Sequence, residues 1–200
     1  NPIIMKLFDV YPLINVTPVK ALGATLWDDQ GNEYLDLYGG HAVISVGHSH
    51  PHFNKRLKDQ LDQITFYSNS VQIPIQKQLA DKLAELSGYE EYNLFLCNSG
   101  AEANENALKL ASFCTGKSGF ISFTGAFHGR TAGAVVLTDN PKIIAPSNKR
   151  NDAYILPWGN LEAVEMQLQQ GNIAGIIIEG IQGVGGIQVP DPEFLLSVAY

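Results

Sequence analysis

FLCNSGAEANENALKL, residues 95–110, sets an apolar run directly against an alanine-rich helical pattern, with Asn98, Ser99 and Gly100 at the join. Leu94 to Cys97 reads as a short buried strand. From Ala101 to Thr115 the pattern is helical, and Gly116 supplies the stop. The join carries a capping signature: Ser99 as N-cap accepts from a first-turn amide, and Glu102 reaches back to the N-cap amide. A buried strand feeding a helix N-terminus also places the join at the carboxyl edge of a parallel sheet, where open α/β folds bind ligands. Unpaired first-turn amides and the positive end of the helix dipole make such a place an anion seat. Gly100 and Ala101 let phosphate oxygens approach the backbone, and Asn98 and Ser99 add side-chain hydrogen bonds. The Gly-Lys-Ser/Thr of a P-loop and the Rossmann glycine pattern are both missing, so the phosphate expected is not a nucleotide's.

Downstream, strand and helix alternate. Gly119 to Phe123 and Tyr154 to Leu156 read as short strands, Leu161, Val164 and Leu168 mark a helix ending at Gly171, and Ile173 to Ile178 is an apolar run suited to a strand covered on both faces. Pro192 to Tyr200 begins another helix. This alternation predicts an α/β domain with a mostly parallel central sheet and helices on both faces. Upstream lies a small β-rich segment: Ala24 to Asp28 and Glu33 to Tyr38 flank the turn Asp28-Asp29-Gln30-Gly31, a hairpin pattern. Helices follow from Pro51, with Phe53, Leu57, Leu61 and Ile64 on one face, and from Pro74, ending at Gly88. The expected division is 1–50 as a segment of a small domain and 51–200 as the first part of a larger one, with the final helix reading as cut in mid-course.

Composition narrows the function. The 200 residues carry a formal charge of -7, against a nucleic-acid surface, since phosphate-backbone binding needs clustered Lys and Arg. Two cysteines, Cys97 and Cys114, are too few for a disulfide scaffold and suggest a reducing compartment with free, mostly buried thiols. No apolar stretch approaches the ~20 residues of a membrane span, and Asn1 to Met5 lacks the basic start of a secretory signal. A soluble, cytoplasmic protein is expected. His48, His50 and His52 raise the question of a metal, but neither a Cys pair nor H-E-x-x-H accompanies them.

Taken alone, TGAFHGRT (124–131) is a surface loop whose glycines make turns, Arg130 a solvated charge in it, and Glu179 the point where a strand meets water. Together the motifs say more. NSGAEANENALKLA, FHGRT (127–131), IIIEGIQGVGG (176–186) and the upstream LWDDQGNEYLDLYGGHAVISVGHSHP (26–51) occur in the order found in class III aminotransferases. The chain resembles that family, of the pyridoxal-phosphate fold-type-I superfamily, over nearly its whole length, and most of all its acetylornithine and succinylornithine branch.

The resemblance implies pyridoxal 5'-phosphate as cofactor, with its phosphate on Ser99, Gly100 and Ala101, Phe127 against the ring, and Glu179 supporting the groups around it. It implies that Arg130 grips a substrate carboxylate, that Tyr11 contacts substrate, and that His128 is structural. Gln182 is a further, lesser candidate. Gly39 and Gly40 fall at the pocket floor, GHSHP becomes a helix entry, and Phe66 to Gln72 aligns with a segment that reaches a partner's site, hence a homodimer. The implied reaction moves the terminal amine of an N-acylornithine to 2-oxoglutarate in arginine biosynthesis. The Schiff-base lysine and the aspartate for the pyridine nitrogen are expected downstream of Tyr200, leaving no catalytic residue in this stretch. Two positions depart from the family string: Gly180 replaces proline, and Val184 replaces a glutamate that in ornithine aminotransferases pairs with the keto-acid arginine. The alternatives are another class III aminotransferase or aminomutase, or a non-catalytic phosphate-binding module.

Overall fold

The computed structural model describes residues 6–199; Asn1 to Met5, the stretch compared above with a secretory signal, and Tyr200, the end of the expected last helix, lie outside them. The chain forms two compact units, one running to Lys82 and the other starting at Leu83. Among the described residues no helix is long and apolar enough to cross a membrane.

In the first unit, β1 (Pro18–Leu22), β2 (Thr25–Asp28) and β3 (Glu33–Leu35) form an antiparallel meander in that order. The expected hairpin is β2–β3, with Trp27 opposite Glu33; β1 was not anticipated. Asp28 ties the turn, accepting from the Asn32 side chain at 2.8 Å, the Tyr34 hydroxyl at 2.9 Å and the amides of Asn32 and Gln30 at 2.8 and 3.0 Å. Led by the Asn32 side chain, these bonds hold its carboxyl below the ordinary value. α1 (Gly39–Ala42) is a single kinked turn in which Gly39 and Gly40 have φ of 58° and 61°, a conformation glycine adopts without steric cost.

α2 (Pro51–Leu61) starts with Pro51 at its first position, and His50 caps it, Nδ1 accepting from the Phe53 amide at 3.5 Å. GHSHP is therefore a helix entry, with His48 Nε2 set 2.7 Å from Asp36 Oδ2. Among the described residues no group of three His, Cys, Asp or Glu side chains is placed to hold a metal. α3 (Pro74–Ser87) crosses the boundary between the units and stops at Gly88, φ 74°.

The second unit holds α4 (Gly100–Thr115), β4 (Gly119–Phe123), α5 (Ala132–Val135), β5 (Ala153–Leu156), α6 (Leu161–Leu168), β6 (Ile173–Ile176) and α7 (Pro192–Ala199). Its three strands are parallel in the order β5-β4-β6, with Phe120 opposite Ala153 and Ile121 opposite Ile176. Alternation along β4 sends Ile121 and Phe123 to one face, against Val164 of α6 and Phe194 of α7. Phe120 faces the other side, with Val135 of α5 and Leu108 and Ala111 of α4. Phe123 meets Trp158 and Phe194 edge-to-face at 5.7 and 5.5 Å between centroids. The expected parallel sheet with helices on both faces is thus the architecture of this unit.

Three local expectations are corrected. Leu94 to Cys97 is irregular and exposed, with Phe95 65% accessible. An apolar run becomes a strand only where a neighbour completes its ladder, and no strand among the described residues pairs with it. The run from Ile173 is a strand only to Ile176, although Ile177 still donates to the Ile121 carbonyl at 2.9 Å. Cys97 and Cys114 are free but exposed rather than buried: one sits on that irregular stretch, the other in the outward last turn of α4.

Candidate active site

α4 opens as its composition requires. The Ser99 Oγ accepts from the Glu102 amide at 3.2 Å, and Gly116 closes the helix at φ 68°. The capping box differs in one bond. The Glu102 carboxylate takes its amide from Asn98, at 2.7 Å, one residue before the N-cap, and also the Ser99 hydroxyl at 3.3 Å. The Asn98 side chain first, then its amide, draw the Glu102 carboxyl below its ordinary value. The amides of Gly100 and Ala101 precede the first intrahelical bond, which Ala103 makes to the Ser99 carbonyl. Nothing lies within 4 Å of the point where a Cβ on Gly100 would sit. Ser99→Ala should cost roughly 1 kcal/mol of stability and lower the midpoint of thermal unfolding by a few degrees, read by circular dichroism.

These residues meet the loop that leaves β4. Ser99, Gly100, Ala101, Phe127 and Arg130 share one open cavity of about 680 Å³, with Asn104, His128, Gly129 and Thr131 in its wall. The start of α4 therefore lies at the carboxyl edge of β4, reached through the loop that follows β4 rather than through a strand ahead of α4. Glu179, beyond the end of β6, reaches the same loop: its carboxylate accepts from the Phe127 amide at 3.1 Å and the Gly183 amide at 3.4 Å. Gln182 is buried and donates to the Thr124 carbonyl at 3.0 Å. Tyr11 belongs to the first unit, on an irregular stretch, 55% exposed.

His128, in the same loop, is buried. Burial pushes its imidazole below the ordinary value, against the pull of the Glu179 charge, so the ring is neutral near pH 7. Its Nε2 is enclosed with no hydrogen-bond partner. Positive character at the cavity thus rests on Arg130 and the helix N-terminus. An uncovered pair of amides, an aromatic side chain 38% exposed and a guanidinium around one cavity suit a ligand with an anionic tail and a flat ring. The residues present fit the cofactor that the motifs imply.

Asn104 and Glu105 had no role of their own in the sequence reading, and Gly129 entered it only as a turn glycine. Asn104 Nδ2 donates to the His128 carbonyl at 2.7 Å, and Glu105 Oε1 accepts from the amides of Gly133 and Ala134 at 2.5 and 3.0 Å. The signal was available: 101, 104 and 105 share a helix face, so whatever touches Ala101 touches the other two.

The model of the class-III aminotransferase family matches residues 9–200. The acetylornithine aminotransferase of Halalkalibacterium halodurans is 42% identical over 193 residues, covering 96% of this chain and 50% of that protein. Among solved structures, ornithine aminotransferase from Toxoplasma gondii, with pyridoxal phosphate partly occupying its active site, superposes with a TM-score of 0.85 at 27% identity, over 96% of this chain and 47% of that one. N-acetylornithine aminotransferase from Stenotrophomonas maltophilia gives 0.76 at 29%, over 94% and 47%. The chain spans about half the length of the curated relatives it matches.

Proposed function

This chain belongs to the class-III aminotransferases, and from that premise we propose that the whole protein moves the terminal amino group of N-acetylornithine or N-succinylornithine to 2-oxoglutarate. The products are the N-acyl glutamate semialdehyde and glutamate. The observation that carries the reading is the one cavity shared by an anion seat, an aromatic face and Arg130. The family's cofactor is pyridoxal phosphate, which supplies an electron sink for proton and amino-group transfer.

In this reading the Gly100 and Ala101 amides, at the turn that Ser99 caps, would hold the phosphate, and Phe127 would lie against the ring. Glu179 sets the backbone of Phe127 through the bond at 3.1 Å. Arg130 takes the donor's α-carboxylate through two parallel bonds, a geometry lysine cannot reproduce. Holding that end fixes where the distal amine points, and Tyr11 adds a second substrate contact. Relatives named acetylornithine aminotransferase support an acylated donor, and Val184 in place of the glutamate that ornithine aminotransferases carry speaks against free ornithine. The reading extends to a homodimer in the cytoplasm, serving arginine biosynthesis, with 1–50 in the small domain and 51–200 in the large one.

The test is glutamate formation by the full-length protein with N-acetylornithine, N-succinylornithine, ornithine or 4-aminobutyrate at equal concentration. An acylornithine should exceed the other donors at least about tenfold in kcat/KM. Preference for ornithine or 4-aminobutyrate overturns the substrate assignment. Failure with every donor, by protein that has taken up its cofactor, favours the non-catalytic phosphate-binding reading.

A further inference from the structure

Arg130 is held from both sides by one helix. Before it, Asn104 binds the His128 carbonyl at 2.7 Å and Gly129 lies so close to Ala101 that a Cβ there would come 2.7 Å from the Ala101 Cβ. After it, Glu105 binds the amides of Gly133 and Ala134. Those two amides open α5, whose own N-cap, Thr131, makes no side-chain cap bond; a carboxylate from 28 residues earlier does that work instead. The fit leaves no slack, since a Cβ on Gly133 would meet Glu105 Oε2 at 2.7 Å. Burial works to raise the Glu105 carboxyl, but bonds from Thr131, Ala134 and Gly133 and the Arg150 charge outweigh it and hold the group below its ordinary value. It is ionised at neutral pH, and its bonds to the amides are charge-assisted.

We propose that Glu105 and Asn104 are positioning residues that clasp the 127–134 loop to α4, so that the Arg130 guanidinium and the amide seat at Gly100 and Ala101 keep one separation. The inference rests on the reading of Arg130 as the carboxylate grip and assigns that grip's support. Ala101, Asn104 and Glu105 lie on one face of α4, so seat and grip are referenced to the same helix. A donor held at one end by Arg130 and presented to a ring anchored at the other end depends on that distance. A shifted grip loses its two-pronged alignment on the carboxylate, which weakens the donor's binding more than the chemistry at the ring.

The experiment compares full-length wild-type holoenzyme with Glu105→Ala and Glu105→Gln. Amide exchange at Gly133 and Ala134 is measured alongside KM and kcat for an N-acylornithine and for a primary amine of similar length without a carboxylate. In Glu105→Ala the two amides exchange about tenfold faster, KM for the acylornithine rises about tenfold, and both kcat and the KM for the plain amine move far less. Glu105→Gln restores most of this, because Oε1 is the atom that accepts both bonds. Faster exchange with an unchanged KM overturns the proposal, as does a Gln variant as impaired as Ala. If Glu105→Ala does not fold, Gly133→Ala, whose methyl displaces the carboxylate, replaces it with the same outcomes. Amide exchange needs no donor: should the wild type turn over no acylornithine, the functional reading fails, while unchanged exchange in the variant overturns the clasp and faster exchange supports it.

Discussion

Arg130→Ala lowers kcat/KM for the acylornithine by about 10²–10³ while the protein keeps its cofactor. The reason is the type of contact. Two charge-assisted bonds to a carboxylate are worth roughly 1.5–3 kcal/mol each when both form, and they add orientation that lysine does not supply. The proposed phosphate seat consists of amides at the start of α4, which the substitution leaves alone. Arg130→Lys therefore recovers little, and a donor lacking the α-carboxylate is affected far less than the acylornithine. Steady-state kinetics on the full-length enzyme and cofactor titration followed by absorbance read the two effects separately. Parallel loss of cofactor affinity and turnover would mean that Arg130 holds the cofactor rather than the donor.

Gly129→Ala strikes both functions at once. The residue has φ 131°, which disfavours any side chain, and the new Cβ would lie 2.7 Å from the Ala101 Cβ, 3.1 Å from its Cα and 3.2 Å from the Ala134 Cβ. None of these atoms is the free end of a flexible chain. Relief requires the loop to lift from α4, which separates Phe127 and Arg130 from the amide seat. Overpacking of this kind costs about 1–3 kcal/mol, and the backbone conformation adds ~1–2. The unfolding midpoint should fall by several degrees, and cofactor affinity by about 10²-fold. Gly159→Ala is the control, since Gly159 has φ 77° with nothing within 4 Å of its Cβ position: it should lose stability through strain alone and keep its cofactor. Unaltered cofactor affinity in Gly129→Ala would show that the loop and the helix need not touch for the seat to work.

What could be read from the chain itself was whatever is bonded within a few residues. The Ser99 cap, the Gly116 and Gly88 stops, the β2–β3 turn and His50 ahead of Pro51 follow from neighbours three or four positions apart. The strands β4 and β6 announced themselves by apolar runs that both faces of a sheet can bury. The motif order, read with those elements, was enough for the family. Tertiary structure decided the rest. Leu94 to Cys97 has a strand's composition and no ladder among the described residues, and Glu102 chose the Asn98 amide over that of Ser99. Glu105 found Gly133 and Ala134 across 28 and 29 positions. A side chain's range of possible partners is set by its chemistry, but which partner it meets is settled only when the sheet packs α4 against the loop after β4, because pairing at that sequence distance depends on the position of every element between.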